Sequence, residues 1–434
     1  MPGRPAPNWV LAIATMFFAD VILWADRSNF AIAVTVWHRT LHWGPALIGI
    51  MSSAFTLGYL LNQPFGGIIA DRAGPQRVIG ISIGGWSLFT ALTPVAPTLL
   101  TLTGVIRVLV GIFEAPYILA TTSLIARVVG STAHRGKQLA FVQSGASLGP
   151  AAGTVFGALL AKAVGVPAMF VVFGGAGVLV ALFWWQYTRS HAPFSWAGTA
   201  ELDDAARAEI RRRADESDVP LRILLRNGRL WAFMVSYFAL PYCQYLFLTW
   251  LPVYFNQYRH IPLVESGVLS ALPFVVAFFA AISAGWVSDG LARRGYTRGG
   301  WHRKALIMAG ASTYVVTILI ATFSASTALV VAMIVVANAA LQFFVQPYFM
   351  IVSDISAKQA GTIAGFMQFW GILGALLAPI ITGFLVQATH QFVLPFLLAA
   401  AVMAAAGLTV GVFVRVRPIA ELVPPPPRSS AMLS

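Results

Sequence analysis

Two full charges, Arg107 and Glu114, lie deep inside the apolar segment 98–122. A charge at membrane depth costs at least ~3 kcal/mol on insertion scales, so such residues usually face a polar cavity and mark the path of a substrate or an ion. Seven residues on an α-helix make close to two turns, which places the guanidinium and the carboxylate on one face, about 10 Å apart along the axis. Gly111 lies between them and has no side chain to fill the gap. The pattern predicts an anion site, and the alternative is a structural ion pair that holds helices together.

A second group of charges lies in the first apolar segment, residues 9–37, and consists of Asp20, Asp26 and Arg27. Asp20 and Arg27 are again seven residues apart and share a helix face, whereas Asp26 is rotated by about 100° from Arg27 and faces a different neighbour. These charges lie far from the ends of the segment, which favours a functional role. The alternative is that Asp26 and Arg27 neutralise each other or extend to a membrane interface.

The whole chain has the composition of a polytopic membrane protein. Its 434 residues are 58% hydrophobic and 10% charged, and its mean hydropathy is +0.77. A membrane span needs ~20 apolar residues. Twelve segments meet this requirement, at roughly 9–37, 44–70, 78–96, 98–126, 138–162, 166–188, 229–256, 263–289, 303–323, 327–353, 360–387 and 391–415. We therefore predict an all-α membrane protein with twelve transmembrane helices.

The distribution of basic residues predicts the orientation of these spans. The tails and the loops after the even-numbered spans hold 23 of the 28 Lys and Arg residues, whereas the opposite loops hold Arg39, Lys162 and Arg259. By the positive-inside rule both termini are cytoplasmic. The net charge of +13 follows from this topology and from anionic lipid headgroups, so it does not indicate nucleic-acid binding. We expect a multi-pass protein of the plasma membrane, the inner membrane in a bacterium, and a monomer.

A repeated loop motif indicates two related halves. In the segment 66–78 after span 2, Asp71 and Arg72 lie four and five residues after Gly67, and Arg77 follows. The same Gly-xxx-Asp pattern recurs after span 8 and ends at Asp289, 218 positions after Asp71. The first copy resembles the loop signature of the major facilitator superfamily. We therefore predict an N-terminal half of six helices at 1–188, a cytoplasmic linker at 189–228 with a short amphipathic helix, and a second half with a cytoplasmic tail at 229–434. In this interpretation Asp71, Arg72, Arg77 and Asp289 act in gating, although basic residues in such loops also follow from topology alone.

Further motifs resemble the anion:cation symporter branch of that superfamily, which includes galactonate, hexuronate and sialin-like transporters. These motifs are W-A-D-R-S-N at 24–29, Tyr59 and Gln63, R-V-L-V-G-I-F-E-A-P at 107–116, F-L-T-W-L-P at 247–252, and A-G-T-I-A-G with Gln368 in span 11. The resemblance implies that Asp26 and Glu114 take up protons, that Arg27 and Arg107 tune them or bind a substrate carboxylate, and that Tyr59 and Tyr348 line the cavity. With Gln63 and Gln368, these residues form the predicted substrate site.

Departures from that branch leave the substrate open. Trp24 stands where galactonate-type members often have tyrosine, Gln368 where many have asparagine, and Asp20 has no counterpart there. The loss of a hydroxyl donor at position 24 favours a less hydroxylated, aromatic organic acid. The predicted function is proton-coupled uptake of a sugar acid, dicarboxylate or aromatic carboxylate by alternating access.

Two alternatives remain at this point. Glycines at 145, 149, 153 and 157, with Pro150, partly resemble a motif of drug/proton antiporters, although packing of two close helices explains the same spacing. A membrane enzyme or sensor is the alternative from another class. The pattern Gly80-Ile-Ser82-Ile-Gly84 lies in an apolar span without the strand that a hydrolase requires. The single cysteine, Cys243, excludes a disulfide within one chain. We expect no enzymatic activity, no metal and no cofactor.

Overall fold

The computed structural model describes residues 9–95, 97–128, 132–190, 226–293, 301–355 and 360–414, and these residues are almost entirely helical. The helices are α1 Trp9–Thr40, α2 Pro45–Ala73, α3 Pro75–Leu92, α4 Leu100–Val128, α5 Thr132–Gln143, α6 Gly145–Ala163, α7 Gly165–Ser190, α8 Gly228–Ser236, α9 Ala239–Val253, α10 Leu263–Arg293, α11 Trp301–Phe323, α12 Thr327–Ile355, α13 Ala360–Thr389 and α14 Val393–Phe413. Short helical turns at Thr93–Val95 and Tyr254–Tyr258 extend α3 and α9.

These helices make the twelve predicted membrane crossings. Eleven helical stretches in the described residues are long and apolar enough to span a membrane, and α5 and α6 together form one of them. The twelfth crossing is α8 and α9 with the turn that follows, which is interrupted at Tyr237 and Phe238. Pro241 explains the interruption, because proline has no N–H to donate to the carbonyl of Tyr237. The predicted twelve-helix fold is confirmed.

Glycines allow the helices of the N-terminal half to approach each other closely. A Cβ atom at Gly149 or Gly153 on α6 would collide with α1, at the carbonyl oxygens of Val21 and Ala25. The spacing of four residues keeps these glycines on one face of α6. The interpretation of the glycine ladder as helix packing is therefore confirmed.

The two halves contact each other at the end of the bundle that carries the α1–α2 connection, which we call the distal end. There Ser53 on α2 donates to the carbonyl oxygen of Leu376 on α13 at 2.7 Å. Arg39 at the end of α1 donates to the side chain of Gln257 at 3.1 Å, and Gln257 donates to the carbonyl of Thr35, also at 3.1 Å. These bonds join the halves across the distal end.

At the opposite, proximal end, α2 and α13 diverge. The face of α2 that contacts α13 at Ser53 continues through Leu57 and Leu61, one and two turns on, and both are exposed. On α13 the corresponding face continues through Phe369 and Gly365; Phe369 is exposed and position 365 has open space around it. The bundle is thus closed at the distal end and open at the proximal end.

The predicted linker and motifs are only partly covered by the structure. Residues 191–225, which include the predicted amphipathic helix, lie outside the described residues, as do residues 415–434. Asp71 lies near the proximal end of α2 and Asp289 near that of α10, but their side chains are not among the described ones. Arg72 and Arg77 are exposed on either side of the α2–α3 turn.

Candidate functional site

A cavity lies between the two halves, directly beneath the closed distal layer. Three elements of the N-terminal half and one of the C-terminal half enclose it. Its lining residues are Arg27, Phe30 and Ala31 of α1, Ser52 and Phe55 of α2, Arg107 of α4, and Tyr245, Leu248 and Thr249 of α9. Two guanidinium groups therefore face three hydroxyl groups across a space walled by aromatic and aliphatic side chains.

Arg107 is a buried cation that has no anionic partner among the described residues. Its side chain is 4% exposed, and its guanidinium carbon lies 4.0 Å from the ring centroid of Phe30 and 5.3 Å from that of Phe55. Within the described part of the chain Arg107 forms no ion pair, and its Nε has no hydrogen-bond partner. Because a buried unpaired charge is costly, this group is set up to receive an anion from the cavity.

The role predicted for Gly111 is wrong. A Cβ atom at this position would collide with the carbonyl oxygen of Phe55 and the backbone nitrogen of Tyr59, so no open space lies over this residue. Gly58 on α2 approaches the carbonyl oxygen of Val108 in the same way. The two glycines allow α2 and α4 to pack backbone to backbone. The space next to Arg107 is instead formed by the neighbouring helices α1, α2 and α9.

Arg27 pairs with Glu114. Both Nε and Nη2 of Arg27 donate to Oε1 of Glu114, the Nε bond being 2.7 Å long, and the carboxyl group is completely buried. The remaining guanidinium nitrogen of Arg27, Nη1, donates to the hydroxyl of Tyr245 at 2.8 Å. The guanidinium carbon lies 4.0 Å from the Trp24 ring and 5.3 Å from the Tyr59 ring. Glu114 Oε2 has no hydrogen-bond partner among the described residues.

Asp26 faces away from this pair, as its position on the helix predicted. It accepts hydrogen bonds from the side chains of Asn29 at 3.2 Å and Thr90 at 3.3 Å. Asp26 is 2% exposed. The alternative in which Asp26 and Arg27 neutralise each other is therefore wrong, because each has a different partner.

The remaining predicted site residues are not all brought together. Tyr59 lies beside Arg27. Gln63 follows it one turn further along α2 and is partly buried, and the described residues offer its Oε1 no hydrogen-bond partner. Gln368 lies on α13, also partly buried. Tyr348 is fully buried inside the C-terminal half, where it shares a hydrogen bond of 2.9 Å with Ser236 and stacks on Phe233. The structure places Tyr348 in the core of that half and not among the residues lining the cavity.

Sequence reasoning missed the hydroxyl groups of the cavity. The hydroxyl groups belong to Tyr245, Ser52 and Thr249. These residues carry no charge and lie in segments that are apolar overall, so nothing in their residue type marked them as binding residues. For Ser52, the described residues offer no hydrogen-bond partner to the buried Oγ. Thr249 lies within the 247–252 motif, and Tyr245 lies one turn before it, which was the available clue.

This arrangement suits binding of a carboxylate. A guanidinium binds a carboxylate through two parallel N–H···O bonds, and hydroxyl groups on the facing wall can donate to the rest of a polar solute. Since the walls come from both halves, a bound solute contacts α4 and α9 together. The same side chains provide no nucleophile and base pair at hydrogen-bond distance, as an acyl-transfer site would need.

Comparison with known proteins agrees with this description. The Major Facilitator Superfamily model matches residues 16–371. The probable anion transporter 4 of chloroplasts from Oryza sativa subsp. japonica is 30% identical over 88% of this chain and 64% of its own length. The probable L-galactonate transporter of Escherichia coli strain K12 is 27% identical over 92% of this chain and 87% of its own.

The chain spans between 53% and 64% of the length of the chloroplast relatives that it matches. A crystal structure of a bacterial homologue of the human lysosomal transporter Spinster, in an inward-facing and occupied conformation, has a TM-score of 0.72 at 16% identity, over 94% of this chain and 95% of that one. Relatives of this kind are transporters and not enzymes. The chain therefore belongs to the Major Facilitator Superfamily, and its similarity to the anion:cation symporter branch is confirmed.

Proposed function

We propose that this chain is a symporter that takes up an organic anion together with protons by alternating access. The observation that carries the proposal is Arg107, a buried cation in a cavity between the halves that has no anionic partner in the described part of the chain. An organic carboxylate would supply the missing charge and two acceptor oxygens. Tyr245, Thr249 and Ser52 would bind the hydroxyl groups or the second acid group of the same molecule.

The relatives narrow the substrate class. Among them are proteins named as transporters of L-galactonate, hexuronate, galactarate/D-glucarate and ascorbate, and one named for phosphate. We propose a sugar acid as the first candidate, with dicarboxylates and aromatic carboxylates as the others. The rings of Trp24, Phe30 and Phe55 stack on the arginines, so they are not free to provide a large aromatic slot. This reduces the weight of Trp24 as a sign of an aromatic substrate.

The Arg27–Glu114 pair supports the proposed proton coupling. A proton on Glu114 removes the charge that holds Arg27, and it thereby releases a second guanidinium that already lines the cavity. Substrate binding and protonation of Glu114 then favour each other, because both states leave Arg27 facing the cavity. After the substrate and the proton leave, the pair seen here re-forms. Asp26 is the second proposed proton carrier, with Asn29 and Thr90 holding its carboxyl group.

We place the protein in the plasma membrane, the bacterial inner membrane, as a monomer with both termini in the cytoplasm. With this orientation the closed distal end would be extracellular and the open proximal end cytoplasmic, and we interpret the conformation as inward-facing on that basis. Asp71, Arg72, Arg77 and Asp289, at the proximal ends of α2, α3 and α10, are the proposed gating residues. Six-helix halves at 1–188 and 229–434, joined by the linker 189–228, would move about the cavity.

The efflux antiporter is the alternative function. Its main sequence support was the glycine ladder of α6, and the close packing of those glycines on α1 accounts for the ladder. Uptake is therefore the better supported direction.

Two measurements test the proposal together. In the first, a thermal-shift screen of the purified protein compares L-galactonate, D-glucuronate, D-glucarate, ascorbate, phosphate and benzoate, because a ligand that binds the native state raises its stability. In the second, the anions that bind are tested for uptake into proteoliposomes with an inward proton gradient. Accumulation above the external concentration, abolished by a protonophore, is the expected result. Binding without accumulation, or export driven by that gradient, would contradict symport.

A further inference from the structure

Asp20 is a buried acid that neither the cavity nor the Arg27–Glu114 pair uses. It lies on α1, 1% exposed, about two helical turns from Arg27 on the proximal side. Its Oδ2 has no hydrogen-bond partner among the described residues. An ionised carboxylate left in this state inside a membrane protein is costly, whereas a protonated one is tolerated.

The surroundings of Asp20 are built for this side chain. Gly145, the first residue of α6, faces it so closely that a Cβ atom there would lie 2.7 Å from Asp20 Oδ2. A side chain at position 145 would displace the carboxyl group, and it would also lie 2.8 Å from the backbone nitrogen of Val21. The glycine therefore fits α6 against α1 and also leaves room for the acid.

One helix connects Asp20 with the ion pair. Tyr117 on α4 follows Glu114 by three residues, which is about one turn toward the proximal end on the same face. Its hydroxyl donates to the carbonyl oxygen of Met16, one turn before Asp20 on α1, at 2.5 Å. Asp20 interacts electrostatically with Tyr117, Arg27 and Glu114. Among the described residues, these are the titratable groups that interact with Asp20, and the facing residue of α6 is Gly145.

We infer that Asp20 is a proton relay inside the N-terminal half, which takes the proton that Glu114 releases and passes it to the proximal side. Asp20 is protonated at rest, so the sequence begins when its O–H bond breaks and the proton passes to water on the proximal side. The O–H bond of protonated Glu114 then breaks, an O–H bond re-forms on the Asp20 carboxylate through bridging water, and Glu114 pairs with Arg27. The relay rests on the proposed role of Glu114 in coupling.

With such a relay the proton and the substrate leave the protein by different routes. In this proposal the substrate leaves the cavity at the proximal end, whereas the proton passes through Asp20, which does not line the cavity. Loss of the proton from Glu114 can then precede loss of the substrate. The relay thus favours release of the substrate on the proximal side.

Infrared spectroscopy of the reconstituted protein tests the relay without any substrate. At neutral pH we expect a carbonyl-stretch band of a protonated acid that is absent in Asp20→Asn and present in Thr15→Val and Glu114→Gln. Thr15→Val is the matched control, since it is a buried position on the same helix whose hydroxyl bonds its own helix backbone. Asparagine is isosteric with a protonated aspartate, so the variant is expected to fold.

A time-resolved infrared measurement follows the protonation of Glu114 after an acid jump. The band of protonated Glu114 is identified as the one that Glu114→Gln lacks. Asp20→Asn should slow this step by about tenfold or more, and Thr15→Val should leave its rate unchanged. Gly145→Ala is the second variant and should shift the Asp20 band by displacing the carboxyl group. The relay would be overturned if Asp20→Asn lost no protonated-acid band, or if Glu114 in that variant were protonated at the wild-type rate. A Glu114 that never takes up a proton would instead contradict the proposed coupling, while the Asp20 band would still be measured.

Discussion

The substitution Arg107→Lys tests the central feature of the site. Lysine keeps the positive charge but replaces the planar guanidinium with a single ammonium group. It therefore loses the pair of parallel hydrogen bonds to a carboxylate, and it loses the flat contact with the Phe30 ring at 4.0 Å. The electrostatic attraction of the cavity for an anion is largely preserved. The variant thus isolates the geometric part of recognition.

The expected loss can be sized from these contacts. A hydrogen bond to a charged group contributes about 1.5–3 kcal/mol. Loss of one such bond, with the other retained by the ammonium, corresponds to a roughly 10- to 100-fold weaker Kd, since each 1.4 kcal/mol is a factor of ten. Because Arg107 forms no ion pair among the described residues and lysine can keep part of its contact with the Phe30 and Phe55 rings, the free energy of unfolding of the empty protein should change little.

Isothermal titration with the best ligand from the thermal-shift screen measures this change in detergent. Arg189→Lys is the matched control, since Arg189 is exposed at the end of α7 and stacks on Trp185 away from the cavity. A wild-type Kd for Arg107→Lys would refute direct binding of the substrate carboxylate. A large drop in the melting temperature without ligand would show that Arg107 has a structural role instead.

Three further predictions follow from the ion pair, the loop motif and the helix contacts. Glu114→Gln keeps an acceptor oxygen for Arg27 but cannot exchange a proton. Proton-driven accumulation in proteoliposomes should therefore disappear, while exchange of substrate across the membrane continues. Accumulation at the wild-type level would contradict the role of Glu114 as a proton carrier. Asp71→Asn should shift the balance between the two conformations without changing intrinsic recognition of the substrate, and unchanged labelling of cysteines introduced at the proximal end would exclude a gating role. Gly111→Ala should force α2 and α4 apart and lower the melting temperature by several degrees. Gly175 has open space around it, so Gly175→Ala should leave the melting temperature unchanged. Equal stability of the two variants would show that α2 and α4 are not tightly packed at Gly111.

Hydropathy and helix geometry account for what the sequence predicted well. The twelve crossings follow from the length of the apolar segments, and the separate orientation of Asp26 and Arg27 follows from the 100° turn between neighbouring helical residues. Even the crossing interrupted at Tyr237 and Phe238 was recognised from its apolar composition. The burial of Arg107 and Glu114 was also predicted, because charges in such segments avoid lipid.

The contacts between helices were not predicted. Arg107 and Glu114 share a helix, and their spacing suggested that they share one site, yet Glu114 pairs with Arg27 of another helix. A helical pattern gives the face on which a residue lies, but not which neighbouring helix meets that face. Gly111 shows the same limit, since a missing side chain indicates either open space or a close neighbour, and here the neighbour is α2. Tyr348 was assigned to the cavity through family resemblance, and its position inside the C-terminal half depends on packing with Phe233 and Ser236.

The charge balance of the site suggests how the substrate sets the number of protons. With Glu114 ionised, its charge is matched by Arg27, and among the described side chains that line the cavity Arg107 is left with an unmatched positive charge. A monocarboxylate neutralises that charge, so its binding alone does not require a proton on Glu114, and the coupling proton is taken up at another step of the cycle. A dicarboxylate needs a second free cation, which the site provides only when a proton on Glu114 releases Arg27. Binding of a dianion should therefore be accompanied by uptake of about one more proton than binding of a monoanion, a difference that calorimetry in buffers of different ionisation enthalpy would measure.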